Sequence, residues 1–361
     1  MDRSRFLALL ILMFVLPSCR GREFRIGQHD NSDVYNHTLA TILVEYASAV
    51  QLSDSNALIT WTCSRCKDLT EGFQVIELIV DIQNCLQSFV GIDHGLNAII
   101  IAFRGTQKLS IRNWIEDLLW KQLDLNYPDM PDAMVHHGFY AAYHNTTLRP
   151  GIVSAVQRAK ELYGDIPVIA TGHSMGGAIA SFCALDLAIN FGIHNVQLMT
   201  FGQPRVGNAA FASYFSKHVY HTIRVTNGHD IVPHLPPFYS YFPHKTYHHF
   251  PREVWIHNSR VSGTFVSMVE KICDESGEDP SCSRSVTGNS ITDHLRYMGV
   301  DMRADSSDSC GIVFYKDEKL HCYEDLAGNF VVSKRPIISS VVQTTTDVDV
   351  SADIEEEHCS R

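Results

Sequence analysis

Hydrophobic and polar positions along the chain follow helical spacing in some stretches and strand-like alternation in others. Within residues 36–52 the apolar side chains recur at helical spacing, which predicts a scaffold helix. Apolar and polar side chains alternate over residues 73–82 and 86–91, which predicts two antiparallel strands. Residues 98–103 are apolar on both faces, as a central strand of a sheet is. The pattern thus predicts a sheet with a fully buried strand and at least one helix packed on it.

A serine turn interrupts the apolar pattern near the middle of the chain. Residues 167–171 are typical of a buried strand, Gly172-His173-Ser174-Met175-Gly176 follows, and a small, apolar run over residues 177–191 predicts a helix. A sharp strand-to-helix turn of this kind exposes a nucleophilic hydroxyl above the edge of a sheet. The two glycines are expected because a side chain at either position would clash in the crowded turn. The five-residue pattern alone is weak evidence, since roughly one chain in ten of this glycine content would carry it by chance.

Two further stretches place polar groups after predicted strands. Arg104-Gly105-Thr106 ends the central strand, where a hydroxyl and a backbone N–H are well placed to bind a ligand, although a plain turn is the alternative. Residues 221–226 predict another strand, and Asp230 follows it in a turn made rigid by three nearby prolines. In addition, apolar and polar side chains alternate over residues 247–256, which predicts one further strand.

Composition and charge narrow the class of protein. The 361 residues are 45% apolar and 19% charged, an ordinary globular balance that suits one large α/β domain or two smaller ones. The formal net charge of −11 argues against nucleic acid as a partner and provides no basic anchor for anionic membranes.

The N-terminus carries a targeting signal. Arg3 and Arg5 precede a short apolar run, and small residues follow it, so residues 1–21 are interpreted as a cleaved secretory signal peptide, with a short membrane anchor as the alternative. We therefore expect a secreted protein, extracellular or in the lumen of the endomembrane system. The glycosylation sequons at Asn36 and Asn145 agree with that route.

Cysteines in an oxidising compartment predict disulfides. Cys273 and Cys282 flank an acidic loop and are the best candidate pair, whereas Cys183 lies in the apolar helix and is expected to be a plain buried thiol. Cys63 and Cys66 resemble half of a zinc or redox motif. Because no second pair stands at zinc-ribbon spacing, we expect them to form structural disulfides with Cys310 or Cys322.

Seven motifs in a fixed order make the chain recognisable. They are Phe103-Arg104-Gly105-Thr106, Asn113-Trp114-Ile115, His137-Gly138-Phe139, Gly172-His173-Ser174-Met175-Gly176-Gly177-Ala178, Thr200-Phe201-Gly202-Gln203-Pro204-Arg205-Val206-Gly207-Asn208, Arg224-Val225-Thr226-Asn227-Gly228-His229-Asp230-Ile231-Val232-Pro233 and Leu235-Pro236-Pro237. Over about residues 35–300 the chain resembles the class 3 (fungal-type) lipase family, which includes triacylglycerol lipases and feruloyl esterases. It looks like a secreted, plant-type member.

The resemblance implies an α/β-hydrolase fold, with a mostly parallel central sheet flanked by helices and a lid helix over the active site. It also implies a catalytic triad in the chain order Ser174, Asp230, His. The residues themselves leave the histidine open, and the candidates after Asp230 are His234, His244, His248, His249, His257 and His294. The family carries its base in an aspartate–histidine context before an apolar, aromatic stretch, downstream of a disulfide loop. Thr292-Asp293-His294 and the residues after it match that context, so the resemblance assigns His294.

The remaining site residues also follow from the resemblance. It implies an oxyanion hole from Thr106 and the backbone N–H of Met175, and a lid between Thr106 and His136 whose apolar residues include Ile111, Trp114, Ile115 and Leu118. From periodicity alone, the lid segment could equally be an ordinary core-facing helix. Acyl transfer needs no metal or organic cofactor, and the histidines near His248 lack the carboxylates and helix expected of a metal site.

The predicted function is a secreted ester hydrolase, most simply a monomeric lipase acting on acylglycerols at an oil–water or membrane interface. The alternatives are a non-lipid, feruloyl-type esterase and a catalytically silent protein that binds lipid or a partner. The predicted domains are the signal peptide, a hydrolase domain over residues 22–335, and a disordered acidic tail over residues 336–361.

Overall fold

The computed structural model describes residues 35–105, 115–118, 125–128, 130, 132–238, 246–261, 265–305, 311–315 and 317–334. The predicted signal peptide and acidic tail lie outside these residues. The chain divides into two compact units, Met1–Asn36 and His37–Arg361, and every helix and strand given below belongs to the second unit. In the described part of the chain, every helix is too short or too polar to span a bilayer.

Helices and strands alternate along most of the second unit. The α-helices are α1 (His37–Ala49), α2 (Ser55–Thr60), α3 (His137–His144), α4 (Leu148–Tyr163), α5 (Met175–Asn190), α6 (Ala209–His218) and α7 (Ile291–His294). The strands are β1 (Gln74–Asp81), β2 (Leu86–Asp93), β3 (Ala98–Phe103), β4 (Leu125–Asn126), β5 (Met134–Val135), β6 (Val168–His173), β7 (Val196–Phe201), β8 (Gly207–Asn208), β9 (His221–Asn227), β10 (Tyr247–His248), β11 (Glu253–Val261), β12 (Phe265–Ile272), β13 (Arg296–Tyr297), β14 (Val300–Asp301), β15 (His321–Glu324) and β16 (Phe330–Ser333).

A ten-stranded sheet in the order β12-β11-β9-β7-β6-β3-β2-β1-β16-β15 organises the described part of the molecule. Its centre is parallel, because β3, β6, β7, β9 and β11 all run in one direction. The pairs toward both ends are antiparallel, including the predicted β1–β2 pair. Two small sheets, β10-β8-β5-β4 and β13-β14, complete the strand pairing. The fold is the α/β-hydrolase type that the sequence predicts.

The parallel centre of the sheet positions the candidate chemistry. β3 and β6 are buried along their whole length, and α5 packs beside them in the main apolar core. Since parallel strands end at one edge, the segments after β3, β6, β7 and β9 all emerge together. Gly105, Ser174, Gly202 and Asp230 each lie in one of these segments.

The strand predicted over residues 247–256 is wrong as a single element. β10 ends at His248 and belongs to the small sheet, whereas β11 begins at Glu253 and belongs to the large one. Pro251 lies between them and has no N–H to donate to a ladder, which explains why regular pairing breaks there.

The disulfides confirm one prediction and correct another. Cys273 is bonded to Cys282, as predicted. Cys63, however, is bonded to Cys66 rather than to a distant cysteine. The N–H of Cys66 donates to the carbonyl of Cys63, and this turn brings the two Cα atoms to 4.9 Å, within bridging range. Cys183 is a buried free thiol, as expected.

Candidate active site

Ser174 occupies a strained turn between β6 and α5. Its backbone has φ 57° and ψ −127°, a left-handed conformation that a non-glycine residue adopts only under constraint. Its N–H donates to the carbonyl of Phe201 at the end of β7 (2.9 Å), which fixes the turn against the neighbouring strand. The residue is 7% exposed, so the hydroxyl lies at the tip of the turn but under cover.

The glycines on either side of Ser174 are required by close contacts. A Cβ on Gly172 would lie 2.5 Å from the carbonyl carbon of Gly176, and a Cβ on Gly176 would lie 2.2 Å from the carbonyl oxygen of Phe103. Both contacts are with backbone, which has little freedom to move away. The steric reason given for the two glycines from the sequence is therefore confirmed.

Asp230 lies just beyond β9 and is held on both carboxylate oxygens. The N–H of Val232 donates to its Oδ1 (2.8 Å), and His294 Nδ1 lies 2.9 Å from its Oδ2. The side chain is almost completely buried, and a parallel bridge between Asp230 and Ser290 joins the segment to the turn before α7. Asp230 thus meets His294 across 64 positions of sequence.

His294 ends the short helix α7, which begins where the Ser290 hydroxyl accepts from the N–H of Asp293 (3.0 Å). The imidazole is fully buried, and among the described residues its Nε2 has no hydrogen-bond partner. Because an ionised carboxylate only accepts, Nδ1 carries the proton in this bond, and in the neutral tautomer with that proton Nε2 presents a lone pair. The assignment of His294 as the base stays a prediction, but its geometry suits that role.

The other candidate histidines have different environments. The His234 ring hydrogen-bonds to the backbone carbonyl of Asp230, not to its carboxylate, and to the carbonyls of Ser283 and Val286. His249 bonds to the carbonyl of Pro233 (2.8 Å), and His257 stacks on Trp255 with ring centroids 4.1 Å apart. His248 bonds to the carbonyl of His249, and His244 lies outside the described residues.

Two side chains that the sequence reasoning missed complete the hydrogen-bond network. The Tyr297 hydroxyl donates to Asp230 Oδ2, and burial together with that carboxylate raises the pKa of Tyr297 well above its usual value. The Nε2–H of His173 donates to the carbonyl of His294 (2.7 Å), and burial holds the pKa of His173 well below its usual value. Both residues are therefore neutral donors. The available signal was that His173 lies in the serine motif and Tyr297 in the aromatic stretch after His294. Periodicity gave no indication of their contacts.

The oxyanion hole is described only in part. Met175 is the first residue of α5, so its N–H belongs to the positive end of that helix. Gly105 lies close by, because a Cβ built on it would be 3.7 Å from the Ser174 Cβ. Thr106 lies outside the described residues, and its role stays a prediction.

Comparison with known proteins places this site in a family. Residues 100–240 match the family model described as Lipase (class 3). A solved structure of a triacylglycerol lipase, whose catalytic centre is formed by a serine protease triad, superposes with a TM-score of 0.63 at 33% identity. The match covers 75% of this chain and 98% of that one. The chain belongs to the class 3 lipase family.

Two relatives of this class 3 lipase define the extent of the likeness. It is 35% identical to a lipase of Rhizomucor miehei over 246 residues, which are 67% of this chain and 63% of that protein. It is 27% identical to the secreted mono- and diacylglycerol lipase 1 of Fusarium solani over 266 residues, which are 71% and 74% of the two chains. The match therefore spans less than two thirds of the Rhizomucor protein.

Residues 115–118, in the segment predicted to form a lid, pack against the body of the protein. Residues 115–118 are helical, with Ile115 and Leu118 in the main apolar core and Glu116 and Asp117 exposed. Ile111 and Trp114 lie outside the described residues. The amphipathic pattern thus has its apolar side inward at these four positions.

The remaining predicted sites are surface or structural features. Asn145 is exposed at the end of α3, and Asn36 is also exposed, so both sequons are accessible for the predicted glycosylation. Among the described residues, one group of side chains has metal-ligand spacing, Cys273 with Asp279 and Cys282. Its two sulfurs are joined in a disulfide and offer no thiolate to a metal.

Proposed function

We propose that this class 3 lipase is a secreted enzyme that hydrolyses acylglycerol esters through a serine acyl-enzyme. The observation that carries the proposal is the 2.9 Å contact of His294 Nδ1 with buried Asp230, while Nε2 has no hydrogen-bond partner among the described residues. His173, which immediately precedes Ser174, bonds to the carbonyl of His294, and the centroids of their tilted rings are 4.4 Å apart, so the proposed base lies beside the serine turn.

The geometry suits acyl transfer in two steps. His294 Nε2 takes the proton of the Ser174 hydroxyl as Oγ attacks the ester carbonyl, and Asp230 stabilises the imidazolium that forms. The same proton then goes to the departing alcohol. In the second step His294 activates a water, which cleaves the acyl–serine bond and releases the fatty acid.

The negative charge on the tetrahedral intermediate needs donors that are already in place. The N–H of Met175, at the N-terminus of α5, and the backbone and hydroxyl of Thr106 are proposed for this role. Loss of one such donor typically raises the barrier by about 3–4 kcal/mol. No step in this scheme requires a metal or an organic cofactor.

Three observations favour a lipid ester over a small soluble ester. The relatives are named as lipases, one of them for mono- and diacylglycerols and as secreted. Ser174 is covered, and Ile115 and Leu118 turn their apolar side chains inward, as a closed lid would. The net charge of −11 suits a neutral lipid surface better than an anionic bilayer. The lid is proposed to open there and expose its apolar face, with the enzyme acting as a monomer.

Replacement of Ser174 by Ala tests the nucleophile. Removal of one triad member typically lowers kcat by several orders of magnitude, so the variant should lose essentially all turnover of p-nitrophenyl esters. Ser181→Ala is the matched control, because Ser181 lies on the same helix and only donates to the carbonyl of Ala178. Wild-type turnover no greater than that of Ser174→Ala would leave a silent binding protein as the remaining function.

The acyl-chain profile tests the substrate class. p-Nitrophenyl esters from acetyl to palmitoyl, assayed with and without a triacylglycerol emulsion, should show faster turnover of longer chains and an increase when an interface is present. A preference for acetyl esters, with turnover unchanged by the emulsion, would contradict the lipase assignment and favour a non-lipid esterase.

A further inference from the structure

Arg104 is a fully buried arginine whose guanidinium makes no hydrogen bond to the described residues. It directly follows β3 and is 1% exposed. None of its three guanidinium nitrogens has a hydrogen-bond partner in the part of the chain that the structure describes. Another fully buried arginine, Arg224, instead donates to the carbonyls of Phe250 and Gly277.

An unpaired buried charge normally opposes folding. Removal of a guanidinium from water is strongly unfavourable unless counter-charges or hydrogen bonds compensate it. Burial lowers the pKa of Arg104 to about 10, with Asp305 acting in the opposite direction, so the group keeps its charge at neutral pH. Asp305 thus offsets part of the burial cost by its charge, but among the described residues no hydrogen bond holds the guanidinium, and a buried charge kept in this way is a candidate for a functional role.

The backbone around Arg104 is held by other residues. The N–H of Arg104 donates to the carbonyl of Gln87 (2.9 Å), and the N–H of Gly105 donates to Gln51 Oε1 (3.3 Å). Gln87 is itself fixed by two bonds from its Nε2 to the carbonyls of Val50 and Leu52. The strand end therefore does not depend on the guanidinium for its position.

The location of Arg104 relates it to the nucleophile. Gly105 is the next residue, and a Cβ on Gly105 would lie 3.2 Å from the carbonyl oxygen of His173 and 3.7 Å from the Ser174 Cβ. Because consecutive Cα atoms are about 3.8 Å apart, the Arg104 backbone lies within two residue lengths of the serine turn.

We propose that Arg104 is an electrostatic positioning residue whose buried positive charge stabilises the oxyanion that forms when Ser174 attacks a carbonyl. The inference rests on the proposed esterase mechanism. The charge acts through its field and touches neither the substrate nor the triad. As a general scale, two unit charges on the order of 10–15 Å apart in a medium with an effective dielectric constant of about 20 attract each other enough to change a rate roughly tenfold, and this sets the size of effect that we expect.

The test is the substitution Arg104→Met, which keeps most of the side-chain volume and removes the charge. We expect kcat for p-nitrophenyl esters to fall about tenfold, with KM unchanged and the thermal unfolding midpoint equal to or above that of the wild type. Arg104→Lys, which restores a charge at the same place, should recover most of the lost kcat. A purely structural arginine would instead lower the midpoint, and lysine would not rescue the rate.

Arg224→Met provides a matched control. Arg224 is equally buried but hydrogen-bonded, so its loss leaves the carbonyls of Phe250 and Gly277 without a partner. This variant should unfold at a lower temperature while its folded fraction keeps the wild-type kcat. Loss of Arg104 is thus expected to lower kcat without lowering stability, whereas loss of Arg224 is expected to lower stability without lowering kcat.

Phosphorylation of Ser174 by diethyl p-nitrophenyl phosphate tests the role of Arg104 without depending on a lipid substrate. Ser174 Oγ forms a bond to phosphorus, His294 takes the serine proton and p-nitrophenolate leaves, so the reaction builds up anionic oxygen without any acylglycerol. Arg104→Met should be phosphorylated about tenfold more slowly even if lipids prove not to be substrates. An unchanged phosphorylation rate, or an unfolding midpoint several degrees below that of the wild type, would overturn the inference.

Discussion

Asp230 is the residue on which the hydrogen bonds of the site converge. Its carboxylate accepts from the imidazole of His294, from the hydroxyl of Tyr297 and from the N–H of Val232. Three donors fix the orientation of this buried carboxylate and, through it, the plane in which the imidazole lies. His173 adds a bond to the backbone of His294, so the proposed base is oriented through its ring and through its main chain.

Tyr297→Phe tests the second donor on Asp230. Loss of a hydrogen bond to a charged group weakens an arrangement by about 1.5–3 kcal/mol, so we expect kcat to fall about tenfold or more while the fold is retained. Kinetics on p-nitrophenyl butyrate and thermal unfolding measure the two effects.

Tyr143→Phe is the control for that experiment. Tyr143 is also buried and donates to a carboxylate, Asp186 Oδ2 at 3.0 Å, but in the helical layer rather than at the site. It should lose stability without losing kcat. Equal kcat losses in the two variants would show that Tyr297 acts only through stability.

At the scale of elements, the described turn of the proposed lid, residues 115–118, combines an apolar inner side with an acidic outer side. Ile115 and Leu118 join the main core, whereas Glu116 and Asp117 are exposed. Burial of an apolar side chain of this size stabilises the closed position by about 1.5–3 kcal/mol. An interface offers the same side chains an apolar environment, which would remove that preference.

Leu118→Asn should weaken the closed state of the proposed lid. The polar side chain buries less favourably, so the open population rises in the absence of lipid. We expect severalfold faster hydrolysis of p-nitrophenyl butyrate below its solubility limit, and a smaller increase on addition of an emulsion. The exposed neighbour change Asp117→Asn should leave both quantities unchanged. An unaltered emulsion response in Leu118→Asn would argue that these four residues are ordinary core.

At the scale of the whole molecule, buried neutral histidines couple the fold to pH. His173 and His249 are almost completely buried. Burial is the largest cause that holds the pKa of each well below its usual value, and the nearby Arg224 and Arg205 add to the effect for His249. His144, which is partly exposed, has its pKa lowered to about 4. At pH values between these lowered pKa values and the ordinary histidine pKa, the folded state therefore binds fewer protons than the unfolded state.

Stability should therefore decrease below about pH 6.5. The unfolded chain takes up protons near the ordinary histidine pKa, whereas the folded chain takes them up only at lower pH, so the contribution is full above pH 6.5 and is lost as pH falls. His173 and His249 each contribute a slope of up to about 1.4 kcal/mol per pH unit. Urea unfolding at pH 7.5 and 5.5 measures the difference. His249→Gln, which keeps a donor for the Pro233 carbonyl, should reduce it, and an identical pH dependence in that variant would contradict the assignment.

Much of the central fold could be predicted because its determinants are local. Periodicity located α1, β1, β2, β3 and β9, each within a few residues of its observed bounds. The tight turn at Ser174 follows from two glycines that adjoin it in sequence. Fold class and family follow from the order of such motifs along the chain. The last two strands at one end of the sheet, β16 and β15, were missed because each is only four residues long, too short for a periodic pattern to show.

What the sequence by itself determined is the set of chemical groups and their local backbone: a serine on a strained turn, an aspartate after a strand, and several histidines downstream. Only the tertiary structure decided which groups meet. It brought His294 rather than His234 to the Asp230 carboxylate, added Tyr297 to it, and bonded Cys63 to Cys66. It also buried Arg104 without a hydrogen bond to the described residues. The physical reason is the sequence separation over which each kind of interaction acts. Helix and turn preferences depend on residues a few positions apart, whereas contacts across 64 positions depend on how the whole sheet and its connections pack.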